Sequence, residues 1–277
     1  MTEDYSDVVK KAKEYYDSDD ADEFYFRIWG GEDLHLGIYE DPDEPIFDAS
    51  RRAVQKIAAQ VHLDKNTRAL DIGAGFGGTA RYMAATFGCT ISCLNLSEKE
   101  NERNRQMNKE QKLDHFIDVV DGNFETLPYD DESFDVVWSE DAILHSGEKD
   151  RVISEVARVL KPGGDFVFTD PMQSDCCPEG VIDPILERIN LDSLGSVKLY
   201  RELAARNHLK EINVIDLAPH LPLHYDRVRK ELESRYDEIL GIISKEYIDN
   251  MLTGLKRWVE GGRNSYLHWA VMHFRKA

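Results

Sequence analysis

The chain reads as an α/β protein on a doubly wound, mostly parallel seven-stranded sheet, with an N-terminal helical lid and an inserted helical cap. Three observations predict this. Between residues 68 and 170, short apolar runs alternate with helical patterns, the rhythm of a parallel sheet with crossover helices. The first run ends at Asp71-Ile72 and meets a glycine cluster, Gly73, Gly75, Gly77 and Gly78, with a helical pattern directly behind it. After Pro171 the rhythm breaks into a loop and helices before strand patterns return. One domain is expected over 1–277: a lid at 1–45, a cofactor-binding core at 46–171, a cap with C-terminal sheet elements at 172–260, and a last strand within 261–277.

The elements follow in order. Residues 4–16 predict a charged helix, and 18–29 a second one that starts with cap residues and acids and turns aromatic. Gly30-Gly31 breaks it, and a loop runs to Tyr39. Residues 43–61 carry apolar side chains at helical spacing (Ala53, Val54, Ile57, Ala58, Val61). Strand 68–72, helix 77–87 and strand 89–95 follow. Ser97-Glu-Lys-Glu100 is a capping box opening a polar helix to about Lys112. Strands 116–121 and 134–139 come next, then a helix from Glu148 that Lys161-Pro-Gly-Gly164 stops, then strand 165–170. Two helices are expected in 172–209, the second at 198–206. Strand 211–217, helices 223–240 and 244–260, a stop at Gly261-Gly262 and strand 266–274 complete the chain.

Composition narrows the partners. The net charge is −19, and residues 1–48 hold 16 Asp/Glu against 4 Lys/Arg. Such a surface repels nucleic acid and anionic membranes. No run approaches the ~20 apolar residues of a membrane span, and the acidic beginning lacks a signal-peptide pattern, so a cytoplasmic setting is expected. Four cysteines make no disulfide framework at this length. Cys89 and Cys93 read as core thiols, and no ligand cluster suggests a metal.

The glycine turn carries the chemistry. Gly73-x-Gly75-x-x-Gly78 also satisfies the dinucleotide pattern. Asp71 tilts the reading, because a carboxylate at the strand end repels a pyrophosphate and attracts the sulfonium and ammonium of S-adenosylmethionine. The residue ending the second strand, Asn95, faces the ribose hydroxyls in such a fold. An amide there is a departure from the usual carboxylate. Asn123 and Phe124 are placed to read and cover the adenine, and Trp138 and Ser139 to lie near the methionine portion. Gly37 and Leu96 complete the cofactor set.

Leu70-Asp-Ile-Gly-Ala-Gly-Phe-Gly-Gly, Asp121-Gly-Asn-Phe, Leu127-Pro-Tyr, Ser133-Phe-Asp and Arg158-Val-Leu-Lys-Pro-Gly-Gly164 resemble the motif series of class I S-adenosylmethionine-dependent methyltransferases. A narrower resemblance spans most of the chain. Trp29-Gly-Gly-Glu-Asp-Leu-His-Leu-Gly-Ile-Tyr, Trp138-Ser-Glu-Asp-Ala-Ile-Leu-His-Ser, Thr169-Asp-Pro-Met, Leu199-Tyr-Arg and Trp258-Val-Glu-Gly-Gly-Arg are similar to sarcosine/dimethylglycine N-methyltransferases. That resemblance implies methylation of sarcosine and dimethylglycine to glycine betaine, an osmolyte, by a monomer or homodimer.

Methyl transfer to an amine requires a neutral lone pair in line with the sulfonium methyl, while free alkylamines are mostly protonated at neutral pH. His145 is the candidate proton acceptor, as its ordinary pKa lies in the working range. Phosphoethanolamine methyltransferases, a more distant resemblance, pair such a His with a Tyr from the N-terminal loop. Here that loop offers only Leu34, His35 and, farther on, Tyr39. A quaternary product favours aromatic faces, and Trp29, Tyr200 and Tyr225 are candidates, with Trp269 read as core. Arg201 and the His224-Tyr225 pair are candidate carboxylate anchors; Arg206 and Arg263 stay open. The alternatives are another small-molecule methyltransferase acting on a phosphorylated amine or an aromatic ring, an NAD-dependent oxidoreductase, and a non-catalytic cofactor-binding module.

Overall fold

The computed structural model describes residues 5–277. The first three residues before the predicted helix, and its first position, residue 4, lie outside the described residues. Among the described residues seven strands form one sheet: β1 (Arg68–Ile72), β2 (Thr90–Asn95), β3 (Ile117–Asp121), β4 (Phe134–Glu140), β5 (Leu160–Gln173), β6 (Leu209–Asp216) and β7 (Leu267–Lys276). Their order is β3-β2-β1-β4-β5-β7-β6. The first five are parallel, and β7 runs antiparallel to both β5 and β6. β1 sits between β2 and β4, so the strand order reverses beside it, and the crevice outside the strand carboxyl ends opens there. Both faces are covered, which is why β1 and β4 are almost wholly buried and apolar rather than alternating.

The helices are α1 (Asp7–Tyr16), α2 (Asp19–Phe24), α3 (Ile46–Ala58), α4 (Gly78–Phe87), α5 (Glu98–Glu110), α6 (Lys149–Val159), α7 (Asp183–Ile189), α8 (Val197–Arg206), α9 (His220–Ser234), the single turn α10 (Tyr236–Ile239) and α11 (Lys245–Arg263). α6 buries Val152, Ile153, Val156 and Val159 on one face, as its spacing predicts. Among the described residues no helix is long and apolar enough to cross a membrane. Cys89 and Cys93 are buried free thiols.

Several boundaries differ from the sequence expectation, among them a helix expected at 223–240 that is divided into α9 and α10 and a strand expected at 165–170 that spans Leu160–Gln173, and three have a readable cause. The helix expected at 18–29 ends at Phe24 and continues as a π-helical turn over Tyr25–Trp29, a wider coil that periodicity at 3.6 does not report. The stop expected at Gly261-Gly262 is absent. α11 runs through both glycines because they are contact points. A Cβ at Gly261 would lie 2.8 Å from Leu267 Cδ1, and one at Gly262 2.9 Å from Leu221 Cδ2. The helix expected at 43–61 starts only at Ile46, after Pro45, which fixes the entry backbone.

Candidate active site

A cavity of about 240 Å³ lies over the carboxyl ends of the strands. Its floor is the β1–α4 turn (Gly73, Gly75), the ends of β2 and β3 with the residues after them (Asn95, Leu96, Asn123, Phe124) and the end of β4 with the segment after it (Glu140, Asp141, Ala142). Its far wall comes from α1 and the π-turn (Val8, Val9, Tyr15, Tyr16, Tyr25, Trp29) and from α7, α9 and α11 (Arg188, Tyr225, Met251, Trp258).

Asp71-Ile-Gly73 must turn sharply, and Gly73 adopts φ +79°, open mainly to glycine. A Cβ there would lie 2.3 Å from Ala142 Cβ, so the turn is also pinched between β1 and the segment after β4. Some of the turn's N–H groups are already committed. Gly73 N donates to Leu94 O at 2.8 Å, and Gly77 N to Ala74 O at 2.8 Å. The start of α4 is closed as well, since a Cβ on Gly78 would meet Asp33 Oδ1 at 2.0 Å. In a dinucleotide site a phosphate occupies that helix terminus. Here the Asp33 carboxylate lies beside it, and its charge disfavours a phosphate there.

Acidic groups dominate the floor. Asp71 itself is buried beneath the turn and is not on the cavity wall. It faces Cys93 and Trp138 across the sheet. Burial, reinforced by the charge of Glu140, pushes its pKa up to about 8. Glu140, at the end of the adjacent strand, does reach the wall. One of its oxygens is held by Trp138 Nε1 (2.9 Å) and Thr79 Oγ1. The other is buried without a hydrogen-bond partner, 3.5 Å from His35 Nε2. Burial drags the His35 pKa down, but the charges of Glu140, Asp33 and Asp141 outweigh it and raise it overall. Trp138 therefore acts one step back, orienting Glu140. Ser139 is fully buried, donating to Ile72 O at 2.9 Å, and does not reach the cavity. Asp141 sits at φ +56°, a conformation Asp tolerates better than most residues. It accepts from Leu36 N (2.7 Å) and Trp269 Nε1 (2.8 Å), and so locks residues 33–39 and β7 to the floor. Trp269 is fully buried.

At the end of β2, Asn95 Nδ2 donates to Glu100 Oε2 at 2.8 Å. Only half of the capping box forms. Ser97 Oγ accepts from Glu100 N at 3.1 Å, while the Glu100 carboxyl turns to Asn95 and the cavity. Burial pushes that carboxyl up to about 8. The acid expected at the strand end is thus supplied five residues later, and Asn95 holds it. Gly37 is not a cavity residue. A Cβ on it would lie 2.7 Å from Ala49 Cβ, and its N–H donates to His224 Nδ1 at 3.0 Å, so its role is helix packing.

His145 closes a 3₁₀ turn over Ile143–His145 and faces the cavity. Its Nε2 lies 2.8 Å from Tyr16 Oη. A tyrosine–histidine pair therefore exists, but the tyrosine comes from the end of α1 and not from the loop at 30–39. Asp17, the next residue, accepts from Ser97 Oγ at 2.8 Å and docks the end of α1 onto α5. Burial, aided by the positive charge of Lys149, pushes the His145 pKa down to about 4. The expectation of a base with an ordinary pKa is thereby corrected: the imidazole is neutral and weakly basic.

Trp29 and Tyr225 both line the cavity, and Tyr225 stacks on Trp258 with ring centroids 4.9 Å apart. The Trp29 indole N–H is buried with no hydrogen-bond partner. The other substrate candidates lie elsewhere. Tyr200 is fully buried and donates to Asp170 Oδ2 at 2.5 Å, and Asp170 Oδ1 accepts from Leu144 N at 2.9 Å. Tyr200 thus supports the turn bearing His145. Arg201 is exposed and paired with Glu211 at 2.6 Å, outside the cavity. His224 lies behind Trp29, accepting from Gly37 N and held 3.1 Å from Tyr39 Oη, and burial pushes its pKa down to about 3. Tyr16, Tyr25, Trp258, Glu100, Glu140 and Arg188 were missed as site residues. Position on the wall comes from tertiary packing, and only the Tyr15-Tyr16 pair at a helix end offered a sequence signal.

The strand order, the glycine turn and the acid-lined floor define a methyltransferase of class I topology. A family profile described as "Methyltransferase domain" matches residues 70–168. The sarcosine/dimethylglycine N-methyltransferase of Halorhodospira halochloris is 53% identical, over 97% of each chain. That of Aphanothece halophytica is 53% identical over 97% of this chain and 98% of its own. A solved structure assigned to a sarcosine dimethylglycine methyltransferase from Galdieria sulphuraria superposes with a TM-score of 0.90 at 42% identity, over 95% of this chain and 99% of that one. The chain belongs to the sarcosine/dimethylglycine N-methyltransferase family.

Proposed function

We propose that this protein transfers methyl groups from S-adenosylmethionine to the amine nitrogen of sarcosine and dimethylglycine, ending at glycine betaine. The observation that carries it is a cationic-ligand floor facing the Tyr16–His145 pair inside an aromatic wall. The residues fit the cofactor. Glu140 offers a buried carboxylate oxygen with no hydrogen-bond partner, Glu100 with Asn95 stands at the ribose position, and Gly73 and Gly75 bring the turn's backbone to the cavity wall. Bound there, the cofactor supplies an electrophilic methyl on a sulfonium.

The chain's own residues do the rest. Phe124 covers one face of the nucleoside site, and Asn123, whose Oδ1 accepts from Glu125 N at 3.0 Å, holds the loop that carries it. The neutral His145 and Tyr16 fix the amine nitrogen, and the positive neighbour Lys149 disfavours a second cation beside them. The pair selects the amine with its lone pair free, and positioning supplies most of the acceleration. Tyr25, Trp29, Tyr225 and Trp258 present faces to the growing methylammonium. Residues 1–45 serve as the lid and 172–260 as the cap of this site. No metal takes part in this reading, which places the enzyme in the cytoplasm as a monomer or homodimer.

The test is methyl transfer from labelled S-adenosylmethionine to glycine, sarcosine, dimethylglycine and phosphoethanolamine, each alone. Labelled betaine from dimethylglycine is the expected outcome. Labelling of phosphoethanolamine only would refute the proposal.

A further inference from the structure

Among the described residues the cavity wall carries one guanidinium, Arg188 on α7, and one ammonium, Lys11 on α1. The other candidate arginines are spoken for: Arg201 pairs with Glu211, Arg206 with Asp150 and Arg263 with Asp226. Arg188 is half-buried, and among the described residues its hydrogen-bond partner is the thioether of Met251, 3.1 Å from Nη2. A thioether is a weak acceptor, so a group with five donors in a fixed fork stands next to a ligand cavity with little to bind. In a chain of net charge −19 that is an unusual place to leave a cation without a carboxylate.

A second observation is independent of the first. α11 carries Gly254 in its interior, where glycine is destabilising relative to alanine. A Cβ there would lie 2.5 Å from Arg188 Cζ and 2.5 Å from Nε. The helix keeps a slot through which the guanidinium passes to the cavity. The residue also sits on the amine side of the site: burial raises the hydroxyl pKa of Tyr16 and of Tyr225, and the charge of Arg188 opposes it at both.

We propose that Arg188 is the anchor for the substrate carboxylate, seated through the Gly254 slot, and that it sets specificity for α-amino acids over amines lacking a carboxylate. The inference rests on the amino-acid substrate reading above. An amine with its lone pair free and a carboxylate attached enters as an anion, which the surrounding acids repel and a forked guanidinium binds through two parallel hydrogen bonds. An amine with a hydroxyl in place of the carboxylate would leave that guanidinium unpaired, and sites built this way reject such analogues strongly.

The test uses the full chain saturated with S-adenosylmethionine and measures binding of glycine betaine, which has no lone pair left to methylate, with choline as the probe lacking a carboxylate. Wild type is expected to bind betaine and to discriminate against choline. R188Q is expected to weaken betaine about 100-fold, leave choline unchanged, and raise KM for dimethylglycine far more than it lowers kcat. R188K should recover part of the loss, because it restores charge without the fork. G254A, which leaves the arginine in place but fills its slot, should move betaine binding in the same direction. Affinity for S-adenosylmethionine should stay within about twofold in all three, which also shows that they fold. Unchanged betaine binding in R188Q would overturn the proposal. So would a loss confined to S-adenosylmethionine, which would make Arg188 the anchor for the methionine carboxylate. If wild type binds betaine through Arg188 yet methylates neither sarcosine nor dimethylglycine, the substrate reading falls while the anchor stands.

Discussion

At the scale of single residues, the proposed place of His145 beside the amine predicts the pH behaviour. With its pKa held near about 4 by burial and Lys149, His145 is neutral throughout the working range. A rate profile should therefore show no break at the ordinary histidine value of about 6.5. It should climb toward the amine's own pKa, near ~10 for alkylamines. A measured kcat/KM profile with a limb at about 6.5 would make His145 a titrating base instead. Removing the hydroxyl in Y16F should lower kcat about 10- to 100-fold with little change in cofactor affinity, read by steady-state kinetics beside calorimetry. The glycines separate in the same way. G73A must push into Ala142 from a left-handed backbone, and should abolish cofactor binding. G37A overpacks against Ala49, and should cost about 1–3 kcal/mol of stability while cofactor affinity in the folded protein is retained, as thermal unfolding with and without cofactor would show. Sequence could name Gly73, Asn95 and Phe124 because the turn fixes their distance along the chain from the strand ends. It could not name Glu100 or Glu140 as wall residues. Whether an acid caps its own helix or swings into a cavity depends on a neighbour such as Asn95, which only the fold brings near.

At the scale of elements, legibility follows period and punctuation. The five parallel strands and α6 were readable because apolar runs and a 3.6-residue stripe are local properties. The π-turn at Tyr25–Trp29 and the run of α11 through Gly261-Gly262 were not. The first changes the coil without changing composition, and the second uses glycine for close approach rather than for termination. The most consequential element is α1, whose last residue supplies the partner of His145. Deleting the chain through residue 18 should leave the sheet intact, since none of its strands contains that segment. It should remove Tyr16 and the Asp17–Ser97 contact, and with them amine methylation. Far-UV circular dichroism close to that of the full chain, together with turnover at background level, is the expected pair of results.

At the scale of the whole molecule, buried acids couple stability to pH. Asp71 and Glu100, at about 8, and Asp170, at about 7, are raised far above unfolded carboxyls by burial. The folded state therefore holds protons that the unfolded chain has lost. Their stabilising contribution is complete below about pH 4 and disappears as pH rises through about 7 to 8. The depressed histidines His145 and His224 act oppositely, but only below their unfolded value of about 6.5. From about pH 6.5 to about pH 8 the ligand-free protein should lose thermal stability, and bound S-adenosylmethionine should restore more of it at the higher pH. Bringing a cation to these acids should also release protons, so the calorimetric binding enthalpy near pH 7 should vary with the ionisation enthalpy of the buffer. An enthalpy independent of buffer would contradict the raised carboxyl pKa values.

The cavity is shut by partners that lie far apart along the chain. Tyr15 and Tyr247 meet hydroxyl to hydroxyl at 2.8 Å across 232 positions, and Ser244 N donates to Asp20 at 2.9 Å beside them. During synthesis, the strands that present the glycine turn are made early, while α11 leaves the ribosome near the end. A nascent chain therefore carries the glycine turn before it has α11, and Tyr15 on α1 waits for a partner more than two hundred residues behind it. Closing so long a loop is slow in entropic terms. Of the cavity's walls, α11 is the last to be made, and only β7 follows it.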